Sequence, residues 1–198
     1  MPMDESLNTI FAADLYRIVS PTASRWEKFR TVNTRYIRFV FFFRLSQRCW
    51  SSNNFLLRIC GKFANLFFRH YCRKLCISIT PSTKIGKGVR FHHLIGTVIA
   101  SDVEIGERCT IFQNVTIGRN FRGSQCYPKI GNDVVIFAGA KVFGPINIGD
   151  NVVIGANSVV IKDVPANSIV AGVPARIIST DVAAAISDDM KPFFYGYK

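Results

Sequence analysis

The chain has 198 residues, 48% of them hydrophobic, and a formal net charge of +12. That length fits one domain, or one domain plus an extension, and the apolar content suffices for a core. The opening MPMDESLNTI does not read as a secretory signal, and the longest strongly apolar run, Phe39 to Phe43, is too short to span a bilayer. The charge is uneven: residues 1–78 carry 13 Lys and Arg against 4 acids, and residues 79–198 carry 12 against 9. No Asp or Glu occurs between Glu27 and Asp102. The N-terminal segment is therefore a candidate surface for something anionic, such as phospholipid headgroups, a phosphorylated carrier or nucleic acid. The six cysteines (Cys49, Cys60, Cys72, Cys76, Cys109 and Cys126) show no framework spacing. Reduced thiols in a cytoplasm are the expectation.

Residues 1–31 are mixed in character, with room for a short helix. Residues 33–75 read as two helices split by Ser51-Ser52-Asn53-Asn54, a loop and N-cap cluster. In the second helix Phe55, Ile59, Phe63, Leu66 and Phe67 suit one apolar side. Arg58, Lys62, Arg69 and Arg73 fall within about 60° of one another on a helical wheel. Such a basic, Phe- and Leu-rich helix suits a membrane surface or a lipid-linked glycan. The alternative is a helix packed on the rest of the chain with its basic side in water. Basic residues interleaved with Phe and Leu, and no recognised reading motif, argue against nucleic acid.

From residue 79 to residue 165 the chain repeats every six residues. Ile85-Gly86, Ile105-Gly106, Ile117-Gly118, Ile130-Gly131, Ile148-Gly149 and Ile154-Gly155 open hexads, and Ile99, Ile111, Ile136, Val142 and Val160 hold the same phase. Four residues after each start sits a small or β-branched residue: Val89, Val103, Cys109, Val115, Val134, Ala140, Val152, Ser158, Val164. This period is the signature of a parallel β-helix. Each short strand turns one aliphatic side chain inward, and three hexads make a triangular coil of about 18 residues, stacked at roughly 4.8 Å. An ordinary half-buried sheet would need period two and longer turns. The phase jumps between Ile117 and Ile130, thirteen residues apart instead of twelve, so residues 119–129 (RNFRGSQCYPK) read as a loop beside the coils. Three segments result: a basic, aromatic helical segment (1–77), a β-helix (78–178), and a C-terminal Ala-rich helix with the aromatic tail Phe193-Phe194-Tyr195 (179–198).

The stretches SITPSTKIGKGVRFHHLIGTVIA, IFQNVTIG, YPKIG, IFAGAKVFG, IGANSVV and AGVPARI resemble the serine acetyltransferase branch of the hexapeptide acyltransferases. The likeness covers about residues 36–178. It implies a left-handed β-helix, an exception to the usual crossover hand. It further implies a homotrimer or a dimer of trimers, with acetyl-CoA between neighbouring coils at subunit interfaces. Four positions depart from the family pattern. His92-His93 stands where the family has Asp-His, Ser78 where it has an acid, and Cys126-Tyr127 where it has Arg-His. The absent groups are those that would hold an amino acid's ammonium and carboxylate, and a buried zwitterion needs such partners. A His-His pair here resembles the O-acetyltransferases of bacterial capsule and exopolysaccharide clusters. A sugar hydroxyl is thus expected as acceptor ahead of L-serine, with acetyl-CoA as donor and no metal.

Acetyl transfer to a hydroxyl needs a base for the O–H proton, a donor for the developing oxyanion, and two substrates held together. The resemblance makes His93 the base. His92 is the second candidate, although adjacent strand residues face opposite ways and a surface structural role suits His92 better. Asp102 or a backbone carbonyl is the expected orienting group. A backbone N–H near Gly118 is the candidate oxyanion donor. The resemblance carries the pantetheine onto Ala138, Gly139, Ala156, Gly172 and Pro174, and makes Lys162 and Arg176 candidate phosphate partners. Ser78, Arg122, Cys126 and Tyr127 are candidate acceptor contacts. A Cys126 acyl-enzyme lacks a neighbouring base in sequence. A zinc hydratase would need three His ligands, and only His92 and His93 lie in the repeat region. A non-catalytic scaffold remains the other class, indifferent to loss of His93.

Overall fold

The computed structural model describes residues 6–19, 24, 34–50, 54–120 and 127–185. Arg122, Cys126 and the tail Phe193-Phe194-Tyr195 lie outside the described residues. The hexads fold into four coils of three short strands each. The first holds β1 (Lys84–Ile85), β2 (Arg90–Phe91) and β3 (Val98–Ile99). The second holds β4 (Glu104–Ile105), β5 (Thr110–Ile111) and β6 (Thr116–Gly118). The third holds β7 (Lys129–Ile130), β8 (Val135–Ile136) and β9 (Lys141–Phe143). The fourth holds β10 (Asn147–Ile148), β11 (Val153–Ile154) and β12 (Val159–Val160). β13 (Ile169–Gly172) and β14 (Ala175–Ser179) close the far end as an antiparallel pair.

Strands of equal rank stack in parallel to form three sheets, ordered β1-β4-β7-β10, β2-β5-β8-β11-β13-β14 and β3-β6-β9-β12. The register superimposes the inward residues: Ile85 on Ile105, Ile105 on Ile130, and Ile148 on Ile130. Phe91, Ile111, Ile136 and Ile154 form the second column, and Ile99, Ile117, Val142 and Val160 the third, none more than 5% exposed. Each such side chain contributes about 1.5–3 kcal/mol on leaving water. The small slots fill the corners, and Cys109 and Ser158 are fully buried there.

Two corners depart from the six-residue step. Six residues, His92 to Thr97, separate β2 from β3, whereas four, Phe112 to Val115, separate β5 from β6. The second departure corrects the phase expected at the loop. Ile117 and Ile130 occupy successive strands, so one hexad step there carries seven extra residues, not two steps with one extra.

The helices cover the open end of the first coil. They are α1 (Leu7–Tyr16), capped by Ser6, α2 (Arg35–Trp50), and α3 (Phe55–Lys74), capped by the Asn54 side chain accepting from Leu56 N at 2.9 Å. The first coil has no coil before it to satisfy its backbone, and side chains do so instead. Arg44 pairs with Asp14 at 2.8 Å and donates to the Ile85 and Gly86 carbonyls, both at 2.6 Å. Asp14 accepts from Val89 N, Tyr36 Oη from Phe91 N, and Arg17 donates to the Gly88 carbonyl. Asp14 and Arg44 are each 1% exposed. Burial pushes the Asp14 carboxyl up, and the Arg44 charge opposes that shift. Burial pushes the Arg17 guanidinium down to about 10.

α3 packs on α2 through an unexpected side. A Cβ on Gly61 would lie 2.5 Å from Cys49 Cβ, so the two helices meet closely only because residue 61 is Gly. Ala64 and Phe68 are buried, and Phe68 lies 5.3 Å and 5.5 Å from the rings of Phe39 and Phe43. The side formed by Phe55, Phe63 and Leu66 stays more than 60% exposed. α4 (Val182–Ala185) seats Val182 against Phe112, Val135 and Val153.

Candidate active site

The enlarged corner between β2 and β3 carries both histidines. Its two extra residues push outward: Ile95 N donates back to the His93 carbonyl at 2.6 Å, and His93 sits at φ 49°. The same left-handed φ recurs at other corners of the coils, at Arg108, Asn114, Asp133, Asn151, Asn157 and Asn167, so it belongs to the corner geometry. His93 is exposed and His92 half-buried. The two rings diverge, with centroids 5.7 Å apart and planes at 53°.

His92 is held by a ladder of rings. It stacks on Phe112 at 4.8 Å and 11°, and Phe112 stacks on Phe137 at 5.0 Å. Each ring follows the inward residue of its strand, so the coil register alone brings them together. Burial, then the neighbouring Arg90 and His93 charges, push the His92 imidazole down to about 4. At neutral pH this ring is uncharged and a poor proton acceptor, whereas the His93 side chain stands exposed outside the stack. Asp102 follows β3 at the opposite end of that strand and accepts from Ser101 Oγ at 2.9 Å, away from the His93 corner.

The same edge of the prism continues down the coils as a column of small corners. Asn114 N donates to the Ile95 carbonyl, Gly139 N to Gln113, and Asn157 N to Ala138. Gly139 has φ 74°, and a Cβ there would lie 2.1 Å from Asn157 Oδ1. Ala156 and Gly172 are exposed, and Gly172 N donates to Ser158 Oγ at 3.2 Å. Pro174 and Arg176 follow at the β13–β14 turn, with Arg176 opposite Ala171. Ala138, Gly139, Ala156, Gly172, Pro174 and Arg176 thus share one edge with His93. Small side chains along an edge let a long, thin ligand approach the backbone closely.

Lys162 and Gly118 lie elsewhere. Lys162 follows β12 and Gly118 is the last residue of β6, both in the third sheet, at its far edge with Tyr127. Gly118 is buried with an ordinary φ, and a Cβ there would meet Ala100 Cβ at 3.9 Å, an ordinary contact that needs no rearrangement. Within one chain His93 and Gly118 stand at opposite ends of the third sheet. Tyr127 is half-buried against the core.

Ser78 extends the third sheet by one rung, bridging to Val98, and its N–H donates to the Thr97 carbonyl at 2.9 Å. Its side chain is exposed at a cavity of about 600 Å³ that Asn65, Arg69, Cys72 and Arg73 of α3 also line. Gly96 N donates to the Leu75 carbonyl, tying that cavity's wall to the His93 corner. Arg69 and Arg73 line this cavity beside Ser78, a placement that sequence reasoning missed. On the helical wheel they belong to a basic side, and only the α3–coil packing brings them beside Ser78.

Residues 127–162 match the family model described as bacterial transferase hexapeptide (six repeats). A serine acetyltransferase from Haemophilus influenzae is 43% identical over 121 residues, 61% of this chain and 45% of that relative. A serine acetyltransferase structure in complex with CoA is 30% identical, with TM-score 0.70, covering 88% of this chain and 71% of the other. The Neisseria gonorrhoeae serine acetyltransferase in complex with serine is 28% identical, with TM-score 0.72, covering 89% of this chain and 70% of the other. The chain spans about half the length of the curated relatives it matches. The three-sheet β-helix, its helical cap and the identity that spans them agree: the chain belongs to the serine acetyltransferase family of hexapeptide-repeat proteins.

Proposed function

We propose that this protein transfers the acetyl group of acetyl-CoA directly to a hydroxyl, with His93 as general base. The observation that carries this reading is the single edge that His93 shares with the small residues Ala138, Gly139, Ala156 and Gly172, of which Ala156 and Gly172 are exposed. The His93 imidazole removes the acceptor's O–H proton as the oxygen attacks the thioester carbonyl carbon. The carbonyl oxygen becomes an oxyanion, for which the backbone N–H beside Gly118 is the candidate donor. Collapse breaks the C–S bond, and the imidazolium returns its proton to the CoA sulfur. Ala138, Gly139, Ala156, Gly172 and Pro174 offer the pantetheine a narrow track, and Arg176 is placed for a phosphate. His93 and Gly118 stand too far apart in one chain for one reacting carbon. The reading therefore takes a homotrimer, in which the Gly118 edge of one copy meets the His93 edge of the next.

L-serine is the acceptor that the family relationship supports, ahead of the sugar hydroxyl expected from the residue departures. Arg69 and Arg73 at the Ser78 cavity supply guanidinium partners for a carboxylate, which offsets the missing Arg at Cys126. A second reading, an acidic or phosphorylated sugar, is favoured by one observation. His92 is an uncharged stacked ring where the family has a carboxylate, so that corner lacks an anionic partner for an ammonium. Thiol release from acetyl-CoA, followed with L-serine beside an acidic oligosaccharide panel, separates the readings. Turnover with serine alone supports the first. Turnover with a glycan alone establishes the second. Turnover with neither, by folded protein, contradicts O-acetyl transfer to these acceptors.

A further inference from the structure

We infer that α3 docks this protein on the surface of an anionic lipid bilayer, with its Phe- and Leu-rich face in the headgroup layer and its basic strip on the lipid phosphates. The helix uses one side to pack on α2, through Gly61, Ala64 and Phe68. The opposite side exposes Phe55 (74%), Leu56 (69%), Phe63 (63%), Leu66 (64%) and Phe67 (50%). A contiguous exposed patch of this size marks an interaction site. Phe67 stacks on Phe42 of α2 at 5.0 Å, so the face is braced by the layer beneath it.

Charge selects the occupant. Arg58, Lys62, Arg69 and Arg73 run along one flank of the apolar face, all exposed. Among the described residues no carboxylate lies within ion-pair distance of any of the four. The sequence holds no acid from residue 28 to residue 101, so α2 and α3 contribute none. An antiparallel isologous pairing of this face with a second copy would set cationic strip against cationic strip. An anionic bilayer instead meets the apolar face and the strip together, as interfacial amphipathic helices do. No helix among the described residues is long and apolar enough to cross a membrane, so the helix lies on the surface.

The test is flotation of the full chain with vesicles of phosphatidylglycerol and phosphatidylcholine (1:1), or of phosphatidylcholine alone, at low and high salt. Arg58→Ala/Lys62→Ala and Phe63→Ser/Leu66→Ser accompany the wild type, with circular dichroism as the folding control and light scattering for mass. Binding to the anionic vesicles is expected, weakened by salt and by neutral lipid. Removing Arg58 and Lys62 should cost about 25-fold in partitioning, roughly five-fold per basic residue. Absence of wild-type binding at low salt overturns the inference. So does equal binding to both vesicle types that ignores salt and the basic substitutions. A wild-type mass that drops on Phe63→Ser/Leu66→Ser, without flotation, also overturns it and assigns the face to a second copy. Should the apolar variant unfold, the basic pair alone still decides between salt-dependent lipid binding and none.

Discussion

The coils and their helical cap face the same problem and solve it differently. Inside the β-helix every strand has a neighbour, so backbone groups bond to the next coil and apolar side chains stack in columns. At the first coil the ladder ends, and buried charged side chains from α1 and α2 take its place. Bare strand edges invite wrong pairing, and covering them with hydrogen-bonding side chains removes the template. The coil solution is local and repetitive. The cap solution depends on pairs 30 to 75 residues apart, such as Arg44 with Asp14 and Asp14 with Val89.

The comparison is broken most sharply at the ion pair. Asp14→Ala leaves Arg44 buried without its partner and is expected to cost about 3–5 kcal/mol by urea unfolding. Asp14→Ala/Arg44→Met should recover part of that loss, because no unpaired charge remains. Additive losses in the cycle would show that the two side chains act independently. Within the coils, Gly139→Ala should cost about 1–3 kcal/mol, since its left-handed corner and the Asn157 side chain both oppose a Cβ. Gly118→Ala is the contrast. Its φ is ordinary and a Cβ would meet Ala100 only at ordinary contact distance, so the melting temperature should barely move, while kcat falls about 10²-fold as the thioester is held off. A stable, fully active Gly118→Ala enzyme would remove that edge from the site.

The smallest effect is a pH dependence. The folded His92 pKa of about 4 lies below the ordinary imidazole value of 6.5. Above pH 6.5 the ring is neutral in both states and folding is unaffected by it. As pH falls from about 6.5 towards 4, the unfolded chain takes up a proton that the stacked ring refuses, so stability declines across that window. His92→Phe should extend the Phe112–Phe137 ladder and flatten this part of the melting-temperature profile. An unchanged slope would mean that other groups carry it.

Much of the coil architecture is legible in the residues because each hexad repeats one physical rule. Ile at the strand and Val, Ala or Cys at the corner recur wherever a side chain must face inward. The enlarged His corner is also legible in principle, since Phe91 and Ile99 stand eight residues apart where six is the rule. The insertion before Ile130 misleads, because thirteen residues lies close to two hexads and only the strand pairing shows one. The cap is illegible: Asp14, Arg17 and Arg44 look like scattered surface charges until the first coil's free carbonyls are in place. α3 misleads for a related reason. Its richest apolar stripe suggests a core face, yet Gly61 permits a closer approach on the other side. That packing also brings Arg69 and Arg73 to Ser78, a placement with no local sequence signal.

The central claim is that two adjacent histidines have been given separate work, one ring stacked into the scaffold and the other presented to substrate. The most direct test is steady-state acetyl-CoA turnover by His93→Ala and His92→Phe, each with its melting temperature. The account predicts a loss of about 10²–10⁴-fold in kcat for His93→Ala with unchanged stability, and a His92→Phe enzyme that retains most of its kcat. Loss of turnover in His92→Phe with His93→Ala still active would reverse the assignment and contradict the account.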